Sequence, residues 1–157
     1  MMRIGQGYDV HEIDEGRPLV LGGVTIPDHP GLAGHSDADV ISHAIADALL
    51  GAAGLGDLGA LFPASDEWRD ASSLRILEEV GRTLRREGWE ISNVDATLIA
   101  ESPRLAPYRD AMIDRVSEAL AVDRSRVSLK GTTSDGLGFT GRGQGMAAVA
   151  VALVTSA

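Results

Sequence analysis

Gly7-Tyr8-Asp9-Val10-His11 is followed along the chain by His35-Ser36-Asp37-Ala38-Asp39 and then His43, so three of the four histidines fall in this cluster, each with carboxylates close by. If residues 4–11 form a strand, side chains alternate and Asp9 and His11 share a face. In the helical pattern that follows, Asp39, His43 and Asp47 recur every fourth residue and line one stripe, with His35 and Ser36 at or just before its start. Packing that strand on that helix brings one carboxylate and two imidazoles together and leaves a fourth position for an exogenous ligand, which is how a catalytic zinc site is built. An Asp-x-His pair alone is commonly a half-exposed strand end, and a single histidine among alanines is commonly a packed helix residue. The combination points to metal, because the neighbouring acidic groups are suited to orienting imidazoles.

A second group lies between residues 130 and 145. Thr132, Thr133, Ser134 and Asp135 precede Gly138-Phe139-Thr140-Gly141-Arg142-Gly143. Hydroxyls, glycine amides and a fixed cation in a short stretch can hold phosphate oxygens. No GxxxxGK[ST] occurs, so this is not a P-loop. Asp135 is the candidate to hold a second, harder cation such as magnesium or manganese. With a net charge of -9, an acidic protein that binds polyphosphate must offset its own field, and divalent cations do this locally.

The elements that must position these groups follow from periodicity. Alternating or β-branched runs predict strands over 2–10, 19–26, 91–100, 127–130 and 145–155. Helical patterns cover 36–53, with Ser36 and Asp39 as a capping-box-like start and Gly54 and Gly56 at its end, 71–87, closed by Gly88, and 107–120, opened by Pro107. The order ββααβαββ predicts a single α/β (α+β) domain over residues 1–157, with helices covering one face of a mixed sheet. Residues 55–73 suit neither helix nor strand and read as a long functional or mobile loop. The run 146–154, MAAVAVALV, is apolar throughout and predicts a strand buried on both faces, either at a subunit interface or at the centre of the monomer's own sheet.

Composition narrows the function further. The chain has 157 residues, 44% of them hydrophobic and 24% charged, enough for one domain with a real core. It has no cysteine, which excludes disulfides, thiolate zinc sites and thiol catalysis. The acidic balance argues against nucleic acid as a partner, and Arg82, Arg85 and Arg86 are interleaved with Glu78, Glu79 and Glu87 as on a solvated helix face. No signal-peptide pattern and no membrane-length apolar run occurs, so a cytoplasmic location is expected.

The blocks GYDVH, LGGVTIP, GHSDADVISHAIADALLGA, GDLG, FP and TTSDGLGFTGRGQG resemble, in order and spacing, the signature of the 2-C-methyl-D-erythritol 2,4-cyclodiphosphate synthase family over essentially the whole chain. The resemblance implies a homotrimer around a sheet-lined axis with active sites between subunits. It implies conversion of 4-diphosphocytidyl-2-C-methyl-D-erythritol 2-phosphate, with release of CMP, in the non-mevalonate isoprenoid pathway. Asp9, His11 and His43 resemble the zinc ligands, Asp135 the ligand of the second cation, Mg2+ or Mn2+, and His35 and Thr133 the catalytic pair that steadies the transition state or orients the phosphates. Ser36, Asp57, Leu58 and Gly59 resemble contacts to the methylerythritol part, and Phe62, Pro63, Ala64, Ser65 and Asp66 the mobile loop over it. Ala100, Glu101, Ser102, Pro103, Arg104, Leu105 and Ala106 resemble the cytidine pocket; Thr132, Thr133, Ser134 and Asp135, with Phe139 and Arg142, complete the contacts. In some family members the axial cavity binds isoprenoid diphosphates, and Arg142 is placed to face it.

The chain departs from the family pattern at Asp135, where Glu is common, at Ala64, where an acidic residue is usual, and at Glu101, Ser102 and Gln144. The shorter Asp135 must reach its cation through water or a shifted loop. Two rival readings remain: a zinc phosphohydrolase, in which water rather than an internal phosphate attacks, and a trimeric binding module with structural zinc.

Overall fold

The computed structural model describes all residues from Met1 to Ala157. Five strands form one sheet in the order β2-β1-β5-β3-β4, where β1 is Met2–Leu21, β2 Val24–Leu32, β3 Trp89–Ile99, β4 Val127–Thr132 and β5 Gly145–Ser156. The sheet is mixed: β3 and β4 run parallel and every other pair antiparallel. Helices α1 (Val40–Ala53), α3 (Ser73–Arg86) and α4 (Arg109–Leu120) follow the expected chain order, and two single-turn helices, α2 (Leu58–Leu61) and α5 (Gly138–Gly141), lie in the glycine-rich stretches.

The two strands expected at the start are halves of other units. β1 runs unbroken to Leu21, pairing with β5 as far as Glu12 and with β2 from Ile13, with a register shift around Pro18. The residues expected as one strand over 19–26 are the end of β1, a turn at Gly22 and Gly23, both with positive φ, and the start of β2. Proline lacks the amide a continuous ladder needs, which accounts for the register shift at Pro18; the change of partner comes earlier, between Glu12 and Ile13.

Helix boundaries shift for equally local reasons. α1 begins at Val40, because the buried Asp39 carboxylate caps it by accepting from Ser42 N, and Gly54 ends it in the left-handed conformation. α3 is capped by Ser72, and α4 starts at Arg109, two residues after Pro107. The segment expected as a featureless loop contains α2 and a 3-10 turn at Asp66–Trp68.

One sheet face is covered. Gly5 and Gly7 on β1 and Ala148, Ala150 and Ala152 on β5 lie buried on the side where α1 packs. A Cβ at Gly7 would stand 2.0 Å from Ala44 O, and one at Gly5 the same distance from Ala48 O. Only glycine permits so close an approach of helix to strand. The opposite face is open: Ile4 is 72% exposed, Tyr8 53% and Val151 40%. β5 is therefore central in the monomer's sheet yet covered on one side only.

Candidate metal and nucleotide site

Because α1 rides so close on β1, His43 on its second turn meets Asp9 and His11 on the strand. Asp9 Oδ2 lies 2.8 Å from His11 Nε2 and 3.2 Å from His43 Nδ1, and the two imidazole nitrogens are 3.4 Å apart. The three form a candidate metal-binding triad. The far side of each ring is tied. His11 Nδ1 is 2.7 Å from Ala33 O, which can only accept, so the proton sits on Nδ1 and the Nε2 lone pair points inward. His43 Nε2 is 3.2 Å from Ser36 Oγ, a hydroxyl that can accept the Nε2 proton and so permits a free Nδ1 in the neutral ring.

Asp9 Oδ2 is buried and has no hydrogen-bond donor when both rings hold these tautomers. Two lone pairs and a carboxylate oxygen converging on one point repel unless a cation or a proton sits among them, so the donor set fits a divalent metal. Protonation states of the cation-free chain agree. Burial opposes the charge on Asp9, but its histidine neighbours outweigh this and hold its carboxyl at about 2. Burial likewise pushes His43 down, but Asp9 beside it outweighs that and raises it above its ordinary value.

The acidic residues expected to orient the imidazoles do something else. Asp39 is fully buried and accepts from Gly22 N, Gly23 N, Ser42 N and the hydroxyls of Ser42 and Ser73, riveting the β1–β2 turn to the starts of α1 and α3. Asp47 accepts from Leu58 N at 2.8 Å, and its burial pushes its pKa up. The imidazoles are oriented by a carbonyl and a hydroxyl instead, groups that periodicity does not flag.

The triad opens into a cavity of about 320 Å3 whose lining includes His35, Ser36, Asp47, Leu58, Gly59, Phe62, Ala64 and Trp68. His35 Nε2 donates to Ser65 O at 2.8 Å, joining the expected catalytic histidine to the expected loop. Arg17 holds the backbone on either side of His35, donating to Gly34 O and Ser36 O. Asp57, Pro63, Ser65 and Asp66 do not line this cavity: Asp57 caps α2 through Ala60 N, and Asp66 pairs with Arg69 at 2.9 Å. Trp68, not singled out by sequence, stands edge-on to Phe62 with ring centres 4.5 Å apart, and the Arg75 guanidinium lies 4.6 Å over it. Its position as the one tryptophan in a Gly/Pro-rich stretch was the available signal.

A second cavity, of about 230 Å3, is lined by Ala100, Glu101, Pro103, Arg104, Leu105, Ala106, Thr132 and Thr133, with Leu98, Arg109 and Gly131. Ser102 faces away, its hydroxyl 3.0 Å from His29 Nε2. Arg109 was also missed by sequence; its Nε is buried without a partner. Asp135 lines neither of these two cavities and is not part of the triad. The amides expected to face phosphate are partly engaged, since Ser134 N and Gly136 N both donate to Glu101 Oε1. Phe139 borders a separate groove with Val10 and Gln144, and Arg142 donates to Gln144 Oε1 at 3.4 Å. The two cavities share no residue within one chain.

The YgbB family model matches residues 2–155. A protein of Desulfatibacillum aliphaticivorans called 2-C-methyl-D-erythritol 2,4-cyclodiphosphate synthase is 57% identical over 152 residues, covering 96% of this chain and 98% of its own. Among solved structures, the bifunctional IspDF of Campylobacter jejuni matches with a TM-score of 0.95 at 40% identity, over all of this chain and 43% of that one. IspF of Plasmodium falciparum in complex with CDP matches with a TM-score of 0.87 at 37% identity, over 99% and 96% of the respective chains.

Proposed function

The chain belongs to the YgbB family of 2-C-methyl-D-erythritol 2,4-cyclodiphosphate synthases, and from that premise we propose how its residues carry out the cyclisation. The substrate is 4-diphosphocytidyl-2-C-methyl-D-erythritol 2-phosphate. An oxygen of the 2-phosphate attacks the β-phosphorus, the bond from that phosphorus to the oxygen bridging the α-phosphate breaks, and CMP leaves with that oxygen as the cyclic diphosphate closes. The nucleophile is already an anion, so the protein's work is alignment and charge neutralisation.

The observation that carries this reading is the triad with both outer imidazole nitrogens tied and Asp9 Oδ2 orphaned. Zinc suits it: a tetrahedral ion with bonds of about 2.0–2.1 Å separates its ligands by roughly 3.3 Å, close to the 2.8, 3.2 and 3.4 Å separations here. Three protein donors rather than four favour a site that admits a ligand over a closed structural one. Asp9, His11 and His43 would hold zinc and Asp135 a Mg2+ or Mn2+ ion, and the two cations would supply positive charge to the diphosphate oxygens. His35 and the Thr133 hydroxyl hold phosphate oxygens in line, Ser36 with Leu58 and Gly59 shapes the methylerythritol end, and the cavity from Ala100 to Ala106 receives cytidine.

The molecule that acts is a homotrimer. The open apolar sheet face with Ile4, Tyr8 and Val151 supports this, as does the division of the site into two cavities without a common residue, which a neighbouring subunit can bring together. Arg142, just before β5, is assigned to an isoprenoid diphosphate on the trimer axis. No helix is long and apolar enough to cross a membrane. We place the enzyme in the cytoplasm.

The test is phosphorus NMR of the zinc-loaded protein with substrate and Mg2+. Cyclic diphosphate and CMP are expected, with no solvent oxygen-18 in either. CMP and methylerythritol 2,4-bisphosphate, one of them carrying solvent oxygen, in place of the cyclic product would replace this reading with the hydrolase.

A further inference from the structure

Glu101 lies in the segment after β3 and lines the cavity assigned to cytidine, yet its carboxylate is turned to a different element. Oε1 accepts from Ser134 N at 3.2 Å and from Gly136 N at 3.1 Å, across 33 and 35 residues of sequence. Those amides flank Asp135, which stands at φ 53, followed by Gly136 at φ 75. Aspartate and glycine are among the residues that enter the left-handed region most readily, so this pair makes a tight turn. Amides that follow one another through a turn can form a concave nest that takes an anion, and in this chain the anion is the protein's own Glu101 carboxylate. The Asp135 amide in turn donates to Thr133 Oγ1 at 3.3 Å, so the same turn fixes that hydroxyl.

We propose that Glu101 is a positioning residue: by gripping the amides on both sides of Asp135, it sets where the Asp135 carboxylate meets the second divalent cation and where the Thr133 hydroxyl meets phosphate. It couples the nucleoside end of the site to the phosphate end, because the residues beside it line the nucleoside cavity. This rests on the cyclase reading for the roles of Asp135 and Thr133, whereas the grip itself does not. Both bonds fall on one oxygen, so glutamine can keep them and alanine cannot.

The experiment compares zinc-loaded wild type, Glu101→Gln and Glu101→Ala in two ways: Mg2+ titration of cyclic diphosphate formation, and hydrogen exchange at the Ser134 and Gly136 amides. Glu101→Ala is expected to need on the order of tenfold more Mg2+ for half-maximal rate, as for loss of an outer-shell partner, with kcat largely restored at saturating Mg2+ and zinc content unchanged. Its two amides exchange faster. Glu101→Gln, which can keep both bonds on its Oε1, is expected to return both readouts close to wild type. Wild-type Mg2+ dependence in the alanine variant, or a glutamine variant as impaired as alanine, overturns the proposal. Tighter binding of CDP by the alanine variant also overturns it, since Glu101 would then be competing with substrate for the nest. If wild type forms no cyclic product, the cyclase reading fails, and amide exchange still decides the grip: equal exchange in all three proteins refutes it.

Discussion

At the scale of the residue, the triad is defined as much by what ties its rings as by its ligands. Ser36 is the partner of His43 Nε2 and orients the ring, and Ser36→Ala is expected to weaken zinc binding about tenfold to a hundredfold without removing any ligand. Competition with a chromophoric chelator measures this; unchanged affinity would mean that the hydroxyl does not orient the ring. The titration of the triad makes a second prediction. Without metal, the Asp9 contribution to stability is present above the ordinary 3.8 and fades as pH falls toward about 2, and the His43 contribution is full below 6.5 and fades as pH rises through its raised folded value. The triad's stabilisation of the chelated protein therefore peaks between 3.8 and 6.5 and declines toward alkaline pH. Zinc needs the unprotonated ring, so its stabilisation grows over the same rise. Melting temperatures with EDTA and with zinc should diverge as pH increases, and parallel curves would sink the assignment.

At the scale of the element, the contact of α1 with β1 positions the site. Gly5 and Gly7 are glycines because the helix backbone lies where their side chains would be. Gly7→Ala is expected to cost on the order of 3 kcal/mol through overpacking and to release zinc by moving His43 away from Asp9. Thermal unfolding and metal content should fall together; a stable variant that keeps its zinc would show that the approach is not required. The helix start is held separately, by the buried Asp39 carboxylate that joins α1, α3 and the β1–β2 turn. That rivet explains why an aspartate on the same sequence stripe as His43 takes no part in the triad.

At the scale of the whole molecule, the sheet has one face under α1 and another open to solvent, and the proposed trimer covers the second. Tyr8→Asp places a charge on the open face and leaves the covered face untouched. It is expected to sediment as a monomer that still binds zinc through Asp9, His11 and His43 but no longer cyclises substrate, because in the proposed trimer the cytidine cavity and the triad join into one site only across subunits. A fully active monomer in the same sedimentation experiment would place the whole site within one chain.

Local patterning made the element order readable: period-2 and period-3.6 runs and glycine stops record burial and backbone conformation, which act over a few residues. The alternation that puts Asp9 and His11 on one face, and the helical placement of His43, were likewise determined in the sequence. Other features depend on groups distant in the chain. A strand that the pattern split in two runs on as β1, changing partner after Glu12 and shifting register at Pro18, and the short helices after Gly56 and Gly136 escaped notice because single turns have no periodicity. The partners of His11 and His43 are Ala33 O and Ser36 Oγ, and Asp39 and Glu101 turn to amides elsewhere in the chain. Only the tertiary structure decided these, because a carboxylate carries no mark in sequence of whether it will meet a metal, a helix end or a distant turn; that depends on which backbone donors the packed fold leaves unsatisfied within its reach.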